Sequence, residues 1–191
     1  MFFSALHRVV IDTTPGIIFS YSNYGVSILG YILEQVYHQD YESLVEKYIV
    51  HPMKMQDTKF TMNKRDLTRF AQPHNIEGKP TKHWDIIGGF APAGGIRSTI
   101  NGMIKYLDYN IYEKNETIKL AHQRTEGPDD KDGGLNWGIS KTLHGHIQYQ
   151  HSGGTGGFRT FISVIPSLKM GYIILTNSEI DIGNLTRELT S

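Results

Sequence analysis

A chain of 191 residues, 39% hydrophobic and 20% charged, has the length and balance of one folded domain and not of a disordered tail or a fibre. Its 19 Lys plus Arg offset 19 Asp plus Glu, so no overall field draws it to nucleic acid or to an anionic membrane. The absence of cysteine excludes disulfides and cysteine-ligated zinc, and no window approaches the ~20 apolar residues that span a bilayer.

The N-terminus, Met1-Phe2-Phe3-Ser4-Ala5-Leu6-His7-Arg8, lacks a basic n-region and does not read as a signal peptide; the compartment stays open. Pro15-Gly16 marks a turn, and Ile17-Ile18-Phe19 is a short strand candidate. Over 24–37, Ile28, Leu29, Ile32, Leu33 and Val36 recur at helical spacing. Asp40 is placed to cap a second helix with Tyr41, Leu44, Val45 and Tyr48 on one face, which His51-Pro52 ends. Residues 61–90, polar and broken by Pro73, Gly78 and Pro80, read mostly as loop. Ser98-Thr99 after Gly94-Gly95 signals a capped helix whose apolar face is Met103, Ile104 and Leu107. Residues 126–134 form a Gly/Asp-rich turn region. Strands follow at 135–139, 147–150, 158–165 and 171–176, with Pro166-Ser167-Leu168-Lys169 turning the last pair and a closing helix over 181–189. Helices over about 15–125, then antiparallel strands and a terminal helix over about 135–191, predict a single α+β domain and not βαβ alternation.

Three segments carry residues suited to chemistry. Tyr21 and Asn23, two apart before a helix, can aim at one spot where the backbone is extended. A phenol of lowered pKa serves as a general base, and an amide beside it can hold a carbonyl. The competing reading of the pair is a packed aromatic followed by an N-cap. His151-Ser152-Gly153-Gly154-Thr155-Gly156-Gly157-Phe158 has four glycines in five positions, which lets a ligand approach backbone N–H groups that could stabilise an oxyanion. Its competing reading is a flexible hairpin. Phe90-Ala91-Pro92-Ala93-Gly94-Gly95-Ile96-Arg97-Ser98-Thr99 reads as a tight turn into a capped helix.

Among nine histidines, His144, His146 and His151 are the candidate metal ligands. There is no His-Glu-x-x-His, and no carboxylate lies between Thr142 and Arg159, so no metal and no other cofactor is expected. His7, His38, His51, His74, His83 and His122 read as surface residues. Asn115-Glu116-Thr117 and Asn184-Leu185-Thr186 match the glycosylation pattern, and the glycines near 153 lack the Gly-Lys-Ser/Thr ending of a phosphate loop.

The segments, taken in order, form a set. It comprises Pro15-Gly16, Tyr21-Ser22-Asn23-Tyr24-Gly25, His51-Pro52-Met53-Lys54-Met55-Gln56-Asp57-Thr58, Ala93-Gly94-Gly95-Ile96-Arg97-Ser98-Thr99, Trp137-Gly138, His151 through Phe158, and Leu175-Thr176-Asn177-Ser178. This set resembles the class C β-lactamase, D,D-peptidase and esterase superfamily of serine hydrolases across residues 15–178. The resemblance implies a β-lactamase/transpeptidase-like antiparallel sheet flanked by helices. It assigns Tyr21 to the family's catalytic Tyr and Asn23 to the Asn of the second motif. His151-Ser152-Gly153 matches the third motif, usually Lys-Thr-Gly or His-x-Gly, with Ser152, Gly153, Gly154 and Thr155 binding substrate and the Gly154 N–H serving the oxyanion hole. Tyr21, Asn23 and His151 are then expected on one cleft, with 147–153 and 158–165 as neighbouring strands.

Two departures bear on function. The family nucleophile is the Ser of Ser-x-x-Lys, which forms an acyl-enzyme, and no serine here has a lysine three residues later. Thr61-Met62-Asn63-Lys64 is the sole threonine version, lies downstream of Tyr21 and reads as a surface turn. Gly102 stands where the family commonly has Asp. The resemblance therefore implies a partial domain, 1–191, lacking its N-terminal portion, with an exposed strand edge and an uncovered apolar face. The expected function is the C-terminal part of a serine hydrolase whose complete parent acts on a β-lactam, a D-Ala peptide or a small ester. The alternative is a non-catalytic remnant, a binding module or half of a split enzyme. A neutral imidazole at His151 attracts a substrate carboxylate less than lysine does, which weakens the β-lactam option. Expected partners are a small-molecule or peptide substrate, and the missing segment or a second copy at the exposed edge; nucleic acid and a membrane span are not expected. Family members are often exported.

Overall fold

The computed structural model describes residues 4, 6–10, 12–14, 16–125 and 133–190. Pro15, most of the N-terminal octapeptide's first five residues and 126–132 of the Gly/Asp-rich turn lie outside the described residues.

Helix α1 (Asn23–Tyr37) starts where the Ser22 side chain accepts the Gly25 N–H, and ends at His38 in the left-handed region. Asp40 caps α2 (Tyr41–Val45) by accepting the Ser43 N–H. The chain then widens into a π-helical turn, Glu46–Val50. Bonding from i to i+5 there turns Val45 and Val50, five apart, toward one core, and both are buried. Residues 61–90 hold more structure than the sequence suggests. Asn63 and Asp66 form a reciprocal capping box for α3 (Lys64–Arg69), and a 3-10 turn, Gly88–Phe90, leads into the single turn α4 (Ala91–Gly94). Thr99 caps α5 (Ile100–Ile111), and Asn115 of the first glycosylation triplet caps α6 (Glu116–Ala121).

Strands β1 (Gly133–Gly134), β2 (Trp137–Lys141), β3 (Ile147–Thr155), β4 (Phe158–Ile165) and β5 (Met170–Thr176) form one antiparallel sheet in chain order, and α7 (Gly183–Thr190) follows. Two strand expectations need correction. Ile17-Ile18-Phe19 is not a strand: it has no pairing partner among the described residues, its side chains are exposed, and propensity without a neighbour does not make a strand. Leu135-Asn136 turns between β1 and β2 with Asn136 at φ 64°, so the strand starts only at Trp137.

Two buried clusters form the core, the first among the helices and the chain between them, the second between α5 and the sheet. Val45, Val50, Met53, Met55, Phe60 and Ile118 make one; Leu107, Trp137, Ile162 and Val164 make the other. Met103 and Tyr106 of α5 pack against both. At about 1.5–3 kcal/mol per fully buried apolar side chain, these contacts fix α5 on the sheet. Gly102 faces this seam: a Cβ there would lie 2.8 Å from Ser98 Oγ and 2.9 Å from Thr58 Oγ1, which are themselves hydrogen-bonded. An Asp at that position would not fit beside that pair. Among the described residues no helix is long and apolar enough to cross a membrane.

Candidate functional site

The site is built where α1 begins beside the middle of β3. Tyr21 lies just before the Ser22 cap, largely exposed, and its ring centroid is 6.2 Å from that of His151. The two residues are 130 positions apart in sequence numbering; farther along, α1 is pressed onto α4. Gly30 meets Pro92 so closely that a Cβ would lie 2.2 Å from its Cγ. The segment read from sequence as a turn into a helix is thus the seat that holds α1. Asn23 is the first helical residue and not the cap; it is exposed, and its carbonyl accepts the Ser27 hydroxyl at 2.8 Å.

The glycine-rich stretch is strand, with the chain reversal at Gly156-Gly157 and Thr155 paired to Phe158. In a two-residue hairpin the closing pair exchanges both backbone bonds, and exchange alternates from there. Gly153 and His151 therefore bond β4 opposite Thr160 and Ile162. The backbone groups of Gly154 and Ser152 point the other way, toward β2. That strand stops at the Gly138–Gln150 pair, and no strand lies beyond it on that side among the described residues. The outcome is an open edge that presents the Gly154 and Ser152 N–H groups. Side chains alternate along the same stretch. His151, Gly153 and Thr155 share a face with Ile162, whereas Ser152 leaves on the opposite face with Phe161, so the motif's two polar side chains are not on one side.

Close packing explains the glycines. A Cβ on Gly153 would be 2.4 Å from Thr160 Oγ1, and one on Gly154 would be 3.1 Å from an Arg159 guanidinium nitrogen. The turn is clamped from outside: the Gly157 N–H donates to Glu179 at 3.0 Å, and a Cβ on Gly157 would be 2.2 Å from Pro73. Of the three histidines weighed as metal ligands, His146 has its Nδ1 3.2 Å from Ser167 Oγ. Among the described residues no group of three or more His, Asp or Glu side chains is placed to hold a metal ion.

His122 is the exception among the six histidines read as surface residues. It is buried, with Nδ1 2.9 Å from Glu113 Oε1, its ring stacked on Tyr149 at 4.1 Å and edge-on to Trp137 at 5.8 Å. Burial pushes the Tyr149 phenol up, and the nearby Glu113 charge adds to it. The signal was present in the sequence: His122 lies four residues after the buried Ile118, on the same helical face.

A Beta-lactamase family model matches residues 2–189. The chain is 26% identical over 192 residues to the D-alanyl-D-alanine-carboxypeptidase/endopeptidase AmpH of Escherichia coli (strain K12), covering 91% of this chain and 49% of that protein. The structure is similar to that of a D-alanine carboxypeptidase AmpC from Burkholderia cenocepacia, with TM-score 0.85 and 18% identity over 96% of this chain and 64% of that one. It is also similar to an octameric penicillin-binding protein homologue from Pyrococcus abyssi, with TM-score 0.75 and 26% identity over 87% of this chain and 40% of that one. The chain spans about half the length of the curated relatives it matches. A match over residues 2–189, from the segment before α1 into α7, takes in helices and sheet together, and by it the chain belongs to the beta-lactamase family of serine hydrolases.

Proposed function

We propose that this chain supplies the general-base and oxyanion side of a serine acyl-transfer site. The supporting observation is the meeting of Tyr21 and His151 beside the open edge of β3 that ends in the Gly154 N–H. In this reading a serine hydroxyl from a Ser-x-x-Lys segment, which these 191 residues do not contain, attacks an acyl carbon. Tyr21 takes its proton and passes it to the leaving group, and the Gly154 N–H steadies the oxyanion. Water then cleaves the acyl-serine bond. Asn23, at the start of α1, holds the acyl carbonyl; His151 orients Tyr21; Ser152, Gly153 and Thr155 line the edge along which substrate lies. The substrate is a β-lactam, a D-Ala-type peptide or a small ester. The Escherichia coli relative's carboxypeptidase name favours the peptide, and His151 in the place of lysine weakens the β-lactam option without separating peptide from ester. The outer edge of β5, unpaired among the described residues, receives the polypeptide bearing Ser-x-x-Lys or a second copy of the chain. The octameric homologue lends support to self-association.

The absence of Ser-x-x-Lys also supports a second reading, a non-catalytic binding module. Co-expression with a family polypeptide that carries Ser-x-x-Lys separates the two. The chain alone is expected to leave a chromogenic cephalosporin and a nitrophenyl ester untouched, and the pair to turn one over. Tyr21→Phe should lower that turnover about 10²–10⁴-fold. Unchanged turnover in Tyr21→Phe would reject the proposed roles, and a lone chain whose activity a covalent serine reagent abolishes would reject the need for a supplied nucleophile.

A further inference from the structure

Strand β5 ends the sheet with an outer edge that no strand pairs among the described residues. Its register with β4 runs unbroken from Ile165–Met170 to Arg159–Thr176, so no bulge twists that edge away. The edge reads Met170-Gly171-Tyr172-Ile173-Ile174-Leu175-Thr176. It carries no charge and no proline, the usual means by which an edge strand refuses a partner. Bond exchange alternates outward from the Thr155–Phe158 pair, so Arg159, Phe161, Ser163 and Ile165 of β4 bond Thr176, Ile174, Tyr172 and Met170. Gly171, Ile173 and Leu175 then point their N–H and carbonyl groups outward. The stretch is bounded after Thr176, because the His74 N–H donates to the Asn177 carbonyl at 3.0 Å. Apolar surface continues around it. Met170 and Leu175 are exposed, and α7, tied to β5 where the Tyr172 hydroxyl donates to the Thr186 carbonyl at 3.2 Å, exposes Leu185 and Leu189 four residues apart on one face.

Two features make an identical strand the fitting occupant. An antiparallel two-fold pairing centred on Ile173 sets that residue opposite itself and Gly171 opposite Leu175 of the other copy, so all three outward residues exchange both backbone bonds. Each Leu175 then arrives beside a Gly171 whose side-chain place is taken by α5, since a Cβ there would lie 2.7 Å from Leu107 Cδ1 and 3.3 Å from Ile111 Cδ1. Apolar meets apolar at both ends of the pairing. Charge matches as well. Lys169 precedes the strand and Glu179 and Asp181 follow it, so the basic end of one copy lies by the acidic end of the other. We propose that two copies of the chain associate through β5, edge to edge and antiparallel about Ile173, as one continuous ten-stranded sheet. This rests on the reading of the β5 edge given above, and it takes the second copy, not the polypeptide bearing Ser-x-x-Lys, as the occupant.

The chain has no cysteine, so single introduced cysteines report the register without background. Sedimentation over a range of concentrations should show a dimer of the 191-residue chain. In Ile173→Cys the two Cα atoms stand about 5.5 Å apart, within disulfide reach, and mild oxidation should cross-link the dimer. Met170→Cys, exposed but about 20 Å from its own copy, should not cross-link with itself; mixed with Thr176→Cys it should. Leu175→Lys should raise the dissociation constant about tenfold or more, with its urea midpoint reporting whether the monomer still folds. Where it does not fold, the cysteine variants carry the test. A monomer at every concentration, a dimer in which Ile173→Cys does not cross-link, or one that a folded Leu175→Lys leaves undiminished overturns the proposal. So does a dimer that a family polypeptide carrying Ser-x-x-Lys displaces from the edge. Ester turnover by the complemented pair without any self-association would sink this proposal alone; a cross-linked dimer beside a complemented pair that turns nothing over would sink the catalytic reading alone.

Discussion

Two glycines in left-handed backbone separate strain from packing. Gly157 has φ +78° and would place a Cβ 2.2 Å from Pro73 Cβ and 3.0 Å from the His74 nitrogen; Gly145, in the β2–β3 turn, has φ +81° and nothing within 4 Å. Alanine at Gly145 therefore bears the conformational cost alone, about 1–2 kcal/mol. At Gly157 the same cost is joined by overpacking of about 1–3 kcal/mol. The total of about 2–5 kcal/mol is a large part of the 5–15 kcal/mol that holds a typical domain folded. Urea denaturation followed by circular dichroism reads both variants, and each kcal/mol moves the melting temperature by about 2–4 °C at this size. Gly157→Ala should unfold at clearly lower urea than Gly145→Ala. Equal midpoints would refute the idea that Pro73 clamps the turn, and with it the account of why the reversal sits at Gly156-Gly157.

Helix α1 offers a pair of opposite sign: Gly30→Ala should destabilise by about 1–3 kcal/mol because of Pro92, while Gly25→Ala, whose nearest neighbour is Ser22 at 3.5 Å, should be neutral or stabilising by up to about 1 kcal/mol in thermal unfolding. Acid titration checks the capping box. The Asn63 N–H and then Lys59 hold the Asp66 carboxyl below its ordinary 3.8, so its contribution is present above that value and lost as pH falls through the lowered one. The stability gap between the parent and Asp66→Asn should accordingly close as pH is lowered below about 4; a gap that stays constant down to about pH 2 would show that the charge is not what matters.

Periodicity made the long helices legible. Ile28, Leu29, Ile32, Leu33 and Val36 lie within α1, and Met103 and Leu107 do pack α5 onto the sheet. Short elements escaped because their signals were polar. α3 is announced by Asn63 and Asp66 three residues apart, and α6 by Asn115, which accepts the Ile118 N–H and which the sequence pattern had matched to glycosylation. Composition stopped β3 at 150, and only the family resemblance carried it to 153, for another reason. Val and Ile mark a strand by their side chains, whereas Gly153 is held by its ladder bonds opposite Thr160, and backbone bonding leaves no trace in composition. Tyr21 and His151 were named from motif order, but their approach joins segments 130 positions apart, and no local pattern reports such a contact.

The glycine-rich stretch divides its work between two halves. Gly153 and Gly154 thin the strand where Thr160 and Arg159 cross it, and this lets β3 stay paired with β4 past the point where β2 has stopped. Gly156 and Gly157 reverse the chain and admit Trp84 and Pro73 against the turn. Moving the reversal to Gly153-Gly154, as a plain hairpin would, shortens β3 by three residues, to Ser152, and removes the outward edge at Gly154 altogether. The packing that fixes the turn at Gly156-Gly157 is therefore the same packing that leaves a free N–H row beside His151. Any substitution that slides the turn should change that edge before it changes the core, because Ile162 and Val164 are anchored by Leu107 and Trp137 from the other end of the hairpin.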